Sequence, residues 1–121
     1  MIEYLTLEDI LSLVEDLGVG GPIGDIGLLD SAVHHPRVSV YGRDAYPGLD
    51  DKAAVLLESL VGNHALFDGN KRLGWLSLVV FHGLNGIDLD APDDESYDLV
   101  IAVASGTATY QEVSGCLASW H

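Results

Sequence analysis

The spacing of apolar residues constrains this chain more than any other feature. Leu7, Ile10, Leu11, Val14 and Leu17 fall at i, i+3, i+4, i+7 and i+10, one stripe of a helix that Thr6 caps and Gly18 ends. The same period returns at Ala53, Leu56, Leu57, Leu60 and Val61, and His64 falls eleven residues after Ala53 on that stripe. It returns again at Leu73, Leu76, Val80 and Leu84, around Leu99, Ala102 and Val103, and at Val113, Cys116, Leu117 and Trp120. Between these stripes stand breaks. Gly20-Gly21-Pro22 follows the first helix, and a shorter second helix from Ile26 to His35 stops before Pro36, because a residue preceding proline avoids helical geometry. Asp68-Gly69 precedes the fourth helix, and Gly83 and Gly86 stand near its end. A polar link from Asp90 to Asp94 and then Gly106 bracket the fifth, while Thr109 and Glu112 form a capping box for the sixth. Only Val38-Ser39-Val40-Tyr41 alternates like a strand, and with Gly42, Pro47 and Gly48 around it this stretch reads as a loop or small hairpin. The expected fold is therefore an all-α, compact bundle of about six helices with a short strand-like flap between helices 2 and 3.

Composition narrows what such a bundle can bind. A chain of 121 residues, 48% hydrophobic, is expected to form a single domain over residues 1–121 and is too apolar to remain disordered. With 5 Lys+Arg against 19 Asp+Glu the formal charge is −14, so its field repels polyanions. Neither direct nucleic acid binding nor a membrane surface is expected, and any bound phosphate must be gripped locally. The single cysteine, Cys116, excludes an intrachain disulfide and any metal site built from several thiolates. Met1-Ile2-Glu3-Tyr4 lacks the positive region and long apolar stretch of a secretory signal, so a cytoplasmic location is expected.

The basic side chains are Arg37, Arg43, Lys52, Lys71 and Arg72, and two of them stand together where the fourth helix begins. A helix N-terminus carries partial positive charge and unpaired N–H groups, so cations there are unfavourable until an anion binds. Gly69 removes the side chain that would block approach to those N–H groups, and Asn70 adds an amide donor, which together make a phosphate-sized cradle. Asp68 offers a hard oxygen ligand suited to Mg²⁺, and His64 an imidazole able to take a proton near neutral pH. Phosphoryl or nucleotidyl transfer needs that set. Each residue also has a plainer reading. Asp68 is equally suited to cap the fourth helix, His64 to be a partly buried histidine, Lys71 and Arg72 to be solvated charges, and Gly69 to be a turn glycine. Other candidates fail on spacing: His34 and His35 are adjacent, and His82 and His121 have no partner at ligand spacing, so no metal is expected there.

The run His64-Ala65-Leu66-Phe67-Asp68-Gly69-Asn70-Lys71-Arg72 resembles the Fic/Doc family signature, His-Pro-Phe-x-Asp/Glu-Gly-Asn-Gly/Lys-Arg, with Ala65 and Leu66 in place of Pro-Phe. The likeness to the Doc (death-on-curing) branch runs through most of the chain, including Asn63-His64, Asp30-Ser31-Ala32-Val33 and the Arg37-to-Pro47 connection. The resemblance implies a helical bundle whose active-site loop joins two central helices. It implies His64 as general base on a target hydroxyl, Asp68 as the Mg²⁺ ligand, and Gly69, Asn70, Lys71 and Arg72 as the nucleotide-binding residues. Fic enzymes usually transfer AMP from ATP to a protein hydroxyl, whereas Doc toxins transfer the γ-phosphate. Lys71 where many Fic enzymes have Gly, Trp75 where they carry a second Arg, and the short chain favour Doc. The implied function is the toxin of a type II toxin–antitoxin system, an ATP- and Mg²⁺-dependent kinase that phosphorylates a threonine of elongation factor Tu and inhibits translation. The alternatives are a protein adenylyltransferase and a catalytically inactive binding module. The implied partner is a Phd-like antitoxin whose C-terminal segment lies in a groove, and Tyr41, Arg43 and Tyr46 match the family's target-docking flap.

Overall fold

Capping chemistry sets the first helix as expected. In this computed structural model, which describes residues 1–18 and 23–121, helix α1 spans Leu7–Leu17. The Thr6 hydroxyl accepts the Asp9 N–H at 3.2 Å while the Asp9 carboxylate accepts the Thr6 N–H at 2.9 Å. Gly18 ends the helix in the left-handed region at φ 63°. The expected break at Gly20-Gly21-Pro22 lies outside the described residues. Helix α2 (Ile26–His34) starts from the Asp25 carboxylate, which accepts the N–H of Gly27 at 2.9 Å. It ends one residue earlier than expected, because His35-Pro36-Arg37 tighten into a 3-10 turn.

The flap is a hairpin. Strand β1 (Ser39–Val40) pairs antiparallel with β2 (Arg43–Asp44), Ser39 opposite Asp44 and Val40 opposite Arg43. Tyr41 at φ 52° and Gly42 at φ 75° supply the two positive φ angles that a tight two-residue hairpin turn demands.

Helices α3 (Leu49–Gly62) and α4 (Asn70–Leu84) form an antiparallel pair at the centre. Ala53, Ala54, Val55, Leu56, Leu57, Leu60 and Val61 are all buried, so α3 is covered around most of its circumference rather than along one stripe. A Cβ on Gly74 of α4 would stand 2.7 Å from Val61 Cγ2 and 3.0 Å from Leu57 Cδ1, so glycine there lets the two backbones approach. Helix α5 (Asp93–Ala104) and helix α6 (Tyr110–Ala118) complete the set of six helices among the described residues. The expected capping box is present on α6. The Thr109 N–H donates to Glu112 at 3.0 Å and its hydroxyl at 3.1 Å, and these bonds, the backbone one first, hold the Glu112 carboxyl below its usual range. No helix among the described residues is long and apolar enough to cross a membrane.

One core residue runs against its type. Lys52, in the first turns of α3, is fully buried. Its ammonium donates to the Pro36 carbonyl at 3.3 Å and to the Asp44 carboxylate at 3.2 Å, and lies 5.7 Å from the centre of the Tyr4 ring. The flap is thereby tied to the bundle through a charge that sequence reading counts only as one of five cations.

Candidate active site

The loop between α3 and α4 carries the residues expected to do chemistry, but one of them stands differently from the expectation. Helix α3 stops at Gly62 with Asn63 as its C-cap, so His64 does not continue the apolar stripe. It sits past the helix end in the left-handed region, at φ 53°, with its side chain exposed. A non-glycine residue held there stores about 1 to 2 kcal/mol of strain. The plain reading of His64 as a partly buried core histidine falls with the same observation.

That strain is sustained because the residues around it are anchored. Asn63 Nδ2 donates to the Leu28 carbonyl at 3.3 Å. The Ala65 carbonyl accepts two N–H groups from the segment entering α2, Gly24 at 2.9 Å and Asp25 at 3.0 Å, and Ile23 forms an isolated antiparallel bridge with Leu66. Ala65 and Leu66, standing where the signature has Pro-Phe, are both buried. On the other side, Asn70 folds its amide back onto the loop. Its Oδ1 accepts the Leu66 N–H at 3.0 Å and its Nδ2 donates to the Leu66 carbonyl at 2.9 Å. The Asn70 side chain is therefore chiefly a brace for the loop, with one amide N–H left over for a ligand.

Asp68 does not cap α4. The N-cap position is Gly69, at φ 92° and ψ 9°, and no side chain accepts a hydrogen bond from the first turn. A Cβ at that φ would be strained, so glycine both permits the turn and leaves the backbone N–H groups uncovered. The Asp68 carboxylate, 82% exposed, faces the Arg72 guanidinium at 3.7 Å, and Lys71 beside it is exposed. An exposed pair of this kind contributes little to stability. The three charges therefore have no evident structural duty, while the helix end they surround still has donors to satisfy.

This donor set fits a magnesium-bound polyphosphate. Uncapped N–H groups and two cations suit the anion, and a free carboxylate suits the hard cation. Elsewhere, the supply of positive charge is small. Lys52 is buried against Asp44, and the Arg37 guanidinium lies over the Tyr4 ring, 4.7 Å from its centre.

The flap residues separate into two kinds. Tyr41 at the turn and Arg43 on β2 are exposed, whereas Tyr46 points inward. Its hydroxyl meets His35 Nε2 at 3.2 Å, and its ring packs edge-on against Tyr110 with centres 5.1 Å apart. Tyr46 is an anchor at the base of the flap rather than part of its outer edge.

A family model for the Fic/DOC family matches residues 4–82, which takes in α1, the flap, the loop and nearly all of α4. The chain belongs to the Fic/DOC family. It is also 44% identical over 124 residues to a protein named Toxin Doc from Mycolicibacterium smegmatis, an alignment covering 99% of this chain and 95% of that one. The Doc likeness thus extends through α5 and α6, beyond the region shared with the Fic/DOC family model.

Proposed function

We propose that this protein is the toxin of a type II toxin–antitoxin pair, a Doc-type protein kinase acting in the cytoplasm. It would use ATP and Mg²⁺ to phosphorylate a threonine of elongation factor Tu and so stop translation. The observation that carries this reading is the uncapped start of α4, where Gly69 is left-handed and Asp68, Lys71 and Arg72 are free of structural work. The family membership and the Toxin Doc relative support the same class.

In this reading His64 takes the proton from the incoming hydroxyl. Its exposed ring, held at the loop crest by the anchored residues on either side, is accessible to a protein substrate. Asp68 would hold Mg²⁺, and the main-chain N–H groups after Gly69 with Lys71 and Arg72 would hold the phosphates. When bound, such a metal would supply charge neutralisation for the phosphoryl oxygens. Asn70 keeps the loop in register with the helix end, so that base and phosphate site stay at a fixed separation. Trp75 packs against Trp120, with ring centres 6.3 Å apart, so the position where AMP-transferring relatives carry a second Arg adds no cation here. That supports γ-phosphoryl over adenylyl transfer.

Tyr41 and Arg43 at the outer edge of the hairpin would dock the substrate. A Phd-like antitoxin would lay its C-terminal segment into the apolar groove between α1, α4 and α5. That groove holds about 540 Å³ and is lined by Leu17, Trp75, Leu76, Val79, Tyr97 and Val100, with Lys71 and Arg72 also in its wall. A ligand there would also shield the phosphate site. The decisive assay offers elongation factor Tu with ATP labelled at either the γ or the α phosphate. Label from γ is expected. Label from α would make the protein an AMP transferase, and no label from either, with active elongation factor, would leave a binding module.

A further inference from the structure

At the pole of the bundle opposite the catalytic loop, three side chains that are far apart in the chain converge. Asp50 lies in the first turn of α3, His82 in the last turn of α4, and His121 follows α6. His82 Nε2 approaches Asp50 Oδ1 at 2.8 Å, and His121 Nε2 approaches the two oxygens of the same carboxylate at 2.9 and 3.1 Å. All three ligand atoms lie within 4.8 Å of one another. The fold thus brings together two histidines that spacing along the chain, taken above to exclude a metal, leaves apart. Helix α3 alone separates this cluster from His64 by about 20 Å, at 1.5 Å per residue.

We propose that Asp50, His82 and His121 form a site for a zinc-class divalent cation, separate from the magnesium expected at Asp68. Three features support it. Two imidazoles and one carboxylate are the ligand set of a borderline-soft, tetrahedral metal rather than of Mg²⁺ or Ca²⁺, which take oxygen. His82 is fully buried, and its Nδ1 must donate to the Leu78 carbonyl, 3.2 Å away, because a carbonyl only accepts. This is the arrangement that orients a metal-binding imidazole, with the far nitrogen anchored on a backbone oxygen and the near nitrogen turned to the ion. The near nitrogen of His82 is turned, at 2.8 Å, onto the same Asp50 carboxylate that His121 faces, so the three ligand atoms already converge on one point.

Little movement is needed. Ligand atoms on a tetrahedral zinc stand about 3.4 Å apart, so the two nitrogen–oxygen pairs would open by about half an ångström. His121 can accommodate that shift, since it lies beyond α6, outside regular structure, with its side chain a quarter exposed. Its neighbour is already fixed, with the Trp120 carbonyl accepting the Asp90 N–H at 2.9 Å and its ring packed on Trp75. The fourth position remains open to water. The net charge of −14 raises the local concentration of any divalent cation at such a site. When filled, it would fasten the segment after α6 to the α3–α4 pair.

The test is a zinc titration of chelator-treated protein by calorimetry in excess magnesium, with cobalt as a spectroscopic substitute. One equivalent of zinc is expected, cobalt should give the intense visible bands of tetrahedral coordination, and zinc should raise the melting temperature. His121→Ala, at an exposed position that leaves the core intact, and Asp50→Asn should each weaken zinc at least about tenfold and remove the cobalt bands. His34→Ala, a remote surface histidine, should change none of these. No zinc binding by the parent chain, or binding that survives His121→Ala undiminished, would overturn the proposal and leave a proton-bridged cluster. Kinase activity plays no part in the readout, so the outcome is independent of the catalytic reading.

Discussion

Asn70 is where structure and chemistry can be separated by one substitution. Its amide makes two hydrogen bonds to the backbone of Leu66, at 3.0 and 2.9 Å, and Leu66 is buried. Asn70→Ala removes both bonds and leaves a backbone N–H and a carbonyl in a largely dry setting. Each such group costs about 1 to 3 kcal/mol when left unpaired, and water reaching the loop lowers the sum, so a loss of about 2 to 4 kcal/mol is expected. Alanine's better helix propensity returns a few tenths of a kcal/mol at most. At roughly 3 to 5 °C per kcal/mol for a chain of this size, the melting temperature should fall by about 6 to 20 °C. Transfer activity measured well below that transition should also drop, because His64 and the start of α4 lose their fixed spacing. Calorimetry on parent and variant, beside a nucleotide-binding titration, reads both effects. A melting temperature within about 2 °C of the parent, together with lost nucleotide affinity, would refute the argument. The amide would then be a ligand donor rather than a brace.

Other substitutions test the same site. Asp68→Ala should abolish magnesium-dependent transfer yet change unfolding by less than about 0.5 kcal/mol, since the carboxylate neither caps α4 nor holds a strong ion pair. A stability loss near 1 kcal/mol in that variant would restore the capping role. His64→Gly should abolish transfer while raising stability by about 0.5 to 1 kcal/mol in denaturant unfolding, because glycine relieves the φ of 53° at some entropic cost. A destabilised His64→Gly would mean that the loop does not store strain there. In the core of α4, the Ser77 hydroxyl is buried with no hydrogen-bond partner among the described residues. Ser77→Ala should therefore stabilise the protein by up to about 1 kcal/mol in the same measurement, and a loss would reveal a partner for that hydroxyl.

The helices were legible because their information is local. Thr6 with Asp9, and Thr109 with Glu112, close their capping boxes within four residues, and the apolar period marks which face turns inward. The signature residues were legible as a set for the same reason. What the chain order could not convey is where each group ends up. Asp68 reads as a good cap until the left-handed Gly69 takes the N-cap position. His64 reads as the last rung of a helix until that helix stops at Gly62. Lys52 reads only as one of five cations, and the arrival of Pro36, Asp44 and Tyr4 from earlier in the chain makes its burial tolerable. The Asp50–His82–His121 cluster joins residues 32 and 71 positions apart, a separation across which spacing carries no signal.

Charge allocation connects these observations. A chain at −14 with five cations cannot attract a polyphosphate through its general field, so affinity depends on where those five stand. Two are withdrawn into structure: Lys52 holds the flap to α3 through Asp44, and Arg37 lies on Tyr4. Arg43 remains on the flap, and Lys71 and Arg72 remain at the start of α4, which like α3 and α5 has no side-chain cap but alone of the three has no acid in its first turn. The helix dipole opposes cations at that place, and Asp68 offsets only part of the cost across 3.7 Å. An arrangement that is unfavourable alone and favourable with an anion present gains affinity from the relief of its own repulsion. Neutralising Lys71 and Arg72 should for that reason weaken nucleotide binding while leaving the fold at least as stable.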